Sequence, residues 1–157
     1  LWNRGTILEI LDKELARSRR AGHPAAALMI DIDHFKLIND RHGHLTGDEV
    51  LREVSRRLAE VVRKGDALGR YGGEEFLVVL SMDNIAEAET AVERFRGSIA
   101  SVPVSTGGKC LNISVSIGMG IMAPSQSGTS ETLLRLADEA LYAAKASGRN
   151  RVVVHSS

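Results

Sequence analysis

A chain of 157 residues with 43% hydrophobic and 25% charged residues has a globular balance and enough apolar material for one sizeable core. Lys plus Arg and Asp plus Glu both number 20, so no basic field argues for nucleic acid or a membrane surface. No apolar run approaches the ~20 residues of a membrane span. The lone cysteine, Cys110, cannot form an internal disulfide and fits a reducing compartment or simply no reliance on bridges. The opening Leu1-Trp2-Asn3-Arg4, without a methionine or a signal-peptide pattern, is expected to come from within a longer protein.

In chain order, residues 5–21 read as a helix with Ile7, Leu8, Leu11 and Leu15 on one face. Pro24 and the run Ala25–Ile30 then suit a buried strand, with Asp31 and Asp33 leaving its end on the same side because side chains alternate. Thr46-Gly47-Asp48-Glu49 matches a capping box, and Leu51, Val54, Leu58, Val61 and Val62 continue at helical spacing to about residue 63. Residues 66–81 read as a β-hairpin, with the adjacent Gly72 and Gly73 expected to take positive φ in a tight two-residue turn. A third helix is expected over 84–100, with Ala88, Val92, Phe95 and Ile99 inward, and one continuous strand over 111–121. After a Ser/Gly-rich loop at 125–130 comes a helix with Leu133, Leu134, Ala137, Leu141 and Ala144 inward. Gly148 stops it, and Arg151–Val154 form a closing strand. No linker divides the chain and no repeat organises it, so residues 1–157 are expected to be one α/β sandwich containing an antiparallel hairpin.

Two features carry chemistry. Glu74 and Glu75 sit at the tip of the hairpin, beside glycines that let a ligand come close to the backbone. Asp31 ends a buried strand. Carboxylates gathered this way suit magnesium, which takes one or two carboxylates plus substrate phosphates. Each feature also has a plain reading. A hairpin can have a polar tip, and an Asp-x-Asp after a strand is more often a solvated loop start than a metal site.

The order and spacing of further residues remove the ambiguity. Asp31-Ile32-Asp33-His34-Phe35-Lys36-Leu37-Ile38-Asn39-Asp40, His42-Gly43-His44, Gly47-Asp48, Gly72-Gly73-Glu74-Glu75-Phe76, Ser116-Ile117-Gly118, Ala137-Asp138, Tyr142, Lys145 and Ser147-Gly148-Arg149-Asn150 all stand as in one family. Leu1 to Arg4 look like the end of its opening Leu-x-Asn-Arg segment. The chain strongly resembles GGDEF domains, the diguanylate cyclases, in their GGEEF variant. That resemblance implies an α+β, palm-like fold with a central, mostly antiparallel five-stranded sheet flanked by helices. It implies condensation of two GTP to cyclic di-GMP with release of two pyrophosphates, in a cytoplasmic homodimer that contacts neither nucleic acid nor membrane.

By the same resemblance, Asp31, Glu74 and the carbonyl of Ile32 would hold Mg2+ (or Mn2+). Glu74 or Glu75 would help deprotonate the attacking 3′-hydroxyl, the choice between them staying open, with Lys36 also in the catalytic group. The amides of His34 and Phe35, the Gly72-Gly73 backbone, Lys145 and Arg149 would meet the triphosphate. Asn39 and Asp48 would read guanine, with His44 a weaker third. Asp48 also argues against a mixed GMP–AMP product, since family members that tolerate adenine lack it. Taken singly, Lys145 and Arg149 suit a helix C-terminus and Asp48 a helix N-terminus without any ligand. Arg63-Lys64-Gly65-Asp66 matches the family's inhibitory Arg-x-x-Asp motif, where Arg63 and Asp66, with Arg94 from a neighbouring domain, would bind the product. An exposed i,i+3 ion pair is the alternative there. Two rivals for the whole are a silent GGDEF receptor for GTP or cyclic di-GMP, and a scaffold with solvated carboxylates.

Overall fold

Strand β1 (Ala25–Ile32) is buried along all eight residues, which is possible only at the centre of a sheet covered on both faces. The computed structural model, which describes residues 1–157, has that arrangement. It comprises α1 (Arg4–Ala21), β1, α2 (Phe35–His42), α3 (His44–Val61), β2 (Ala67–Arg70), β3 (Glu75–Leu80), α4 (Ile85–Ala100), β4 (Val104–Thr106), β5 (Lys109–Leu111), β6 (Val115–Met122), α5 (Ser130–Ala146) and β7 (Val152–Ser156). Five strands form one sheet in the order β2-β3-β1-β6-β7, antiparallel except between β6 and β7. The sheet expected from the resemblance is the one found. No helix is long and apolar enough to cross a membrane.

The two-residue period of β1 sorts the core into two layers. Ala26, Leu28, Ile30 and Ile32 face one side with Val50, Val54 and Leu58 of α3 and Val92, Phe95 and Ile99 of α4. Ala25, Ala27 and Met29 face the other with Ile7, Leu11 and Leu15 of α1 and Leu133, Ala137 and Leu141 of α5. Each fully buried Leu, Ile or Phe contributes about 1.5–3 kcal/mol by leaving water. Helix α5 lies unusually close to the sheet, since a Cβ on Gly118 would stand 2.1 Å from the Ala137 carbonyl oxygen. Asn3 caps α1 by accepting from the Thr6 amide at 2.9 Å, and Asn84 caps α4 from the Glu87 amide at 3.1 Å.

Four local expectations need correction. Helix α2 was not anticipated: it follows β1 after a two-residue turn and contains no buried residue. The capping box does not form. Helix α3 begins at His44 with Gly43 (φ 87°) as its cap and no capping side chain, and Glu49 instead accepts from the Thr106 hydroxyl. Neither Gly72 nor Gly73 has positive φ, because Tyr71–Glu74 form a wider loop in which the Tyr71 and Gly72 amides both donate to the Glu75 carbonyl, at 2.9 and 3.2 Å. The strand expected over 111–121 is broken: Leu111 closes the small β4–β5 hairpin and β6 starts afresh at Val115.

Candidate active site

On the face of the sheet that α5 covers, the C-terminal end of β1 carries acid where the rest of the strand carries Ala and Met. Asp31 lies opposite Glu75 of β3 and opposite Ser116 of β6. The hairpin tip is pinned to this end of β1 by the Ile32 amide, which donates to the Glu74 carbonyl at 3.3 Å. Asp31 is only 6% exposed, and its Oδ2 meets Lys145 Nζ of α5 at 3.0 Å. Burial pushes the Asp31 carboxyl up, Lys145 works against that, and the charges of Glu74 and Asp33 add to the rise. Glu75 is pushed up by burial and by Asp31 directly across the strands, with Asp138 and Glu74 contributing and Lys145 opposing.

The cluster is therefore short of positive charge: Asp31, Glu74, Glu75 and Asp138 gather around one lysine. A bound divalent cation is the direct remedy for such a surplus. No three acidic or imidazole side chains converge into an all-protein cage. Magnesium needs no such cage, since it takes one or two carboxylates and completes its shell with water and phosphate oxygens. The donor set of Asp31, Glu74 and the Ile32 backbone thus fits the metal implied by the resemblance.

Asp33 has a different task. Its carboxylate accepts from Ser114 Oγ at 2.7 Å, Ser116 Oγ at 2.6 Å and the Asn150 amide at 3.0 Å. It ties the start of β6 and the α5–β7 turn to the end of β1.

Beside the acids, His34 takes the left-handed conformation (φ 56°) at the start of α2. Such a conformation at a non-glycine residue costs of order 1 kcal/mol and turns the chain sharply into the helix. The first N–H groups of α2, beginning at Phe35, have no intrahelical acceptors, and Lys36 stands exposed beside them. Gly43 alone separates α2 from α3, so Asn39 packs directly on the first turns of α3. A Cβ at Gly47 would lie 1.8 Å from Asn39 Oδ1.

Asp48 is exposed on α3, past the first turn, where the helix dipole gives little reason for a carboxylate. It lines an open cavity of about 380 Å3 with Leu51, Arg52, Ser55 and Arg70. His44 is the exposed first residue of α3 and makes no side-chain hydrogen bond. Arg149 is exposed and left-handed (φ 62°) after α5 and, unlike Lys145, pairs with no acid.

Arg70 was not singled out by sequence. Its guanidinium folds back over the tip and donates to the carbonyls of Gly72 at 3.3 Å and Gly73 at 2.6 Å. A Cβ on Gly72 would stand 2.5 Å from Glu75 Oε2, so the missing side chain leaves room for that carboxylate. Asp33 was noted only as the second acid of its pair, and Ser114, Ser116 and Asp138 were given no role. Their partners come from distant parts of the chain, which local spacing does not reveal.

The Arg-x-x-Asp segment lies at the opposite end of β2. Asp66 spends both oxygens on backbone amides, Ser81 at 3.0 Å and Arg63 at 3.4 Å, and burial pushes its carboxyl up against them. Arg63 is exposed and forms no ion pair with it, so the simple i,i+3 pair is absent. A small cavity of about 70 Å3 opens between Arg63, Asp66, Ser81 and Glu87. Arg94 of α4 has Nη2 buried without a hydrogen-bond partner.

The family profile described as "Diguanylate cyclase, GGDEF domain" matches residues 1–151. Response regulator PleD of Caulobacter vibrioides is 47% identical over 155 residues, 98% of this chain and 34% of PleD. Diguanylate cyclase DosC of Escherichia coli is 41% identical over 153 residues, 97% of this chain and 33% of DosC. The chain therefore spans about a third of the length of these curated relatives. Among solved structures, the GGDEF domain of DgcB from Caulobacter crescentus in complex with c-di-GMP aligns with a TM-score of 0.90 and 33% identity, covering 97% of this chain and 87% of that one. With the profile matching almost from end to end and Gly72-Gly73-Glu74-Glu75-Phe76 at the tip of the β2–β3 hairpin, this chain belongs to the family of GGDEF domains, the diguanylate cyclases.

Proposed function

We propose that residues 1–157 are the catalytic GGDEF domain of a longer protein and condense two GTP into cyclic di-GMP. The observation that carries the reading is the buried Asp31 set across from Glu75, beside Glu74 and against Lys145. Each new bond joins a 3′-oxygen of one GTP to the α-phosphorus of the other, and pyrophosphate leaves in line. Such chemistry asks mainly for positioning and charge stabilisation.

Asp31, Glu74 and the Ile32 carbonyl hold Mg2+, for which Mn2+ can stand in. The metal supplies Lewis-acid neutralisation of phosphate charge. Glu74 or Glu75 takes the 3′-hydroxyl proton. The environment of Glu75 suits that task, since burial and the Asp31 charge push its carboxyl up, and a carboxylate above the usual range is a better base. The N–H groups at the start of α2, Lys36, the Gly72-Gly73 backbone, Lys145 and Arg149 bind the triphosphate. When substrate enters, Lys145 can exchange its Asp31 contact for a phosphate. Asn39 and Asp48 pair with the guanine edge, helped by His44. A carboxylate there accepts from guanine N–H groups and would be left unpaired by adenine, which favours GTP.

One domain binds one GTP, so the reaction needs two domains facing each other about a two-fold axis. Product binding at Arg63 and Asp66, with Arg94 of a neighbouring domain, gives feedback control. The test is to fuse the chain to a dimeric leucine zipper, incubate it with GTP and Mg2+, and separate the nucleotides by chromatography. Cyclic di-GMP from the fusion and none from its Asp31→Ala variant is the expected result. A silent fusion that still binds GTP or cyclic di-GMP would replace this reading with that of a receptor module.

A further inference from the structure

We propose that Arg4, where the chain leads into the fold, is a positioning residue for the hairpin that carries Glu74 and Glu75. The proposal rests on the cyclase reading for its kinetic consequence and on geometry alone for its structural one.

Trp2 pairs with Gly69 of β2 through a single parallel bridge. The Trp2 amide donates to the Leu68 carbonyl at 3.0 Å, and the Arg70 amide donates to the Trp2 carbonyl at 2.9 Å. Asn3 then caps α1, and Arg4 is the first residue of that helix. Its guanidinium carbon lies 4.5 Å from the centroid of the Tyr71 ring, and Nη2 donates to the Tyr71 hydroxyl at 3.3 Å. The amide of Tyr71 in turn donates to the Glu75 carbonyl. A continuous path of contacts therefore runs from Arg4 through Tyr71 to the residues at the tip.

Helix electrostatics do not explain this arginine. A cation at the first position of a helix opposes the dipole, and the first turn of α1 has no acidic residue to offset it. Arg4 pairs with no carboxylate either. Its one specific engagement is the Tyr71 ring and hydroxyl.

The tip also has reason to need an outside anchor. Gly72 and Gly73 bring no side chains to pack, and a Cβ built on Gly73 would find no atom within 4 Å. Asp31 opposite Glu75 repels the tip electrostatically. Arg70 holds the two glycine carbonyls from within the hairpin, while Tyr71, packed against the α1/α5 core layer, is held from outside by Arg4. Loss of Arg4 leaves the tip folded but free to wander, which lowers the fraction of time Glu74 and Glu75 face the phosphates without altering the guanine contacts on α2 and α3.

The experiment compares wild type, Arg4→Ala, Arg4→Lys, Tyr71→Ala and the Arg4→Ala/Tyr71→Ala double variant. Zipper-fused chains supply kcat and KM for GTP, and hydrogen exchange of the chain itself supplies local opening at residues 71–75. Arg4→Ala is expected to lower kcat about three- to tenfold with KM for GTP nearly unchanged, an exposed cation–π contact and one hydrogen bond being at stake. Arg4→Lys should recover part of the loss, and the double variant should be no worse than Tyr71→Ala. Exchange should quicken at 71–75 while the β6–β7 amides stay protected. Unchanged kcat with unchanged exchange at 71–75 would overturn the proposal, as would faster exchange spread over the whole sheet, which marks a role in stability alone. If the wild-type fusion makes no cyclic di-GMP while exchange at 71–75 still depends on Arg4, the cyclase reading has failed and the positioning contact has not.

Discussion

Gly47 is a residue at which helix stability and the placement of Asn39 pull in opposite directions. In the interior of α3 an alanine would ordinarily stabilise the helix by about 1 kcal/mol. Here its Cβ would overlap Asn39 Oδ1, so Asn39 has to swing away from its place on α3. With Asn39 reading guanine as proposed, Gly47→Ala should melt no earlier than wild type while its KM for GTP rises about tenfold, the loss of one hydrogen bond in a partly buried site. Thermal melts and initial rates on the same preparations check both halves. The juxtaposition of Asp31 with Glu75 was legible only in part: each acid taken singly suits a loop start or a polar hairpin tip, and it was the order of motifs along the chain that grouped them with Glu74 and Asp48. Lys145 was less legible, because a lysine near the end of α5 is already explained by the dipole and its contact with Asp31 is a fact of tertiary packing.

Among the elements, those with a buried stripe were readable and those without one were not. Helix α2 has no fully buried residue and packs on the core only through the half-buried Phe35 and Ile38, a pair too short to give a readable hydrophobic period over Phe35–His42. The Thr-x-x-Glu pattern at 46–49 was misleading for a related reason: α2 ends so close to α3 that Gly43, at φ 87°, sets the boundary before a side-chain cap is needed. A Gly-Gly hairpin turn with positive φ at both positions does exist, but at Gly107 and Gly108 (φ 55° and 77°) between β4 and β5. Sequence reasoning did not reach this pair, because the three-residue arms β4 and β5 are too short to show an alternating pattern. Another tertiary device is Arg57 of α3, 8% exposed, whose guanidinium donates to the carbonyls of Ile99 and Val102 at 3.0 and 2.5 Å and of Pro103 at 3.2 Å. It satisfies carbonyls that the end of α4 leaves unpaired. Arg57→Ala should cost about 3 kcal/mol in denaturant unfolding, and Arg57→Lys should recover less than half, since one ammonium cannot replace a fork that spans three carbonyls. A cost below 1 kcal/mol for Arg57→Ala would mean that water replaces the guanidinium at little expense.

Over the whole molecule, the length of β2 separates the acidic cluster from the Arg-x-x-Asp segment. The acids gather where β1 ends and the β2–β3 hairpin turns, whereas Asp66 precedes β2 at its far end. Six residues of extended chain put Asp66 about 20 Å from Gly72, beyond contact with any reacting phosphate. On the proposed reading, product held by Arg63 and Asp66 would therefore act away from the reacting phosphates, through contact with Arg94 of a neighbouring domain. The surroundings suit a ligand that brings its own cations' partners: Arg63 is exposed without an acid, and Arg94 has a buried Nη2 lacking any acceptor. Phosphate and guanine acceptors would satisfy both. In the zipper-fused chain, added cyclic di-GMP should slow GTP turnover, and Arg63→Ala should raise the concentration needed for half-inhibition about tenfold or more, each variant being referred to its own initial rate before product accumulates. Inhibition of Arg63→Ala at the wild-type concentration would instead place the product's effect at the active site, where it would compete with GTP and disappear at high substrate. A site at the far end of β2 predicts the opposite, a block that saturating GTP does not lift.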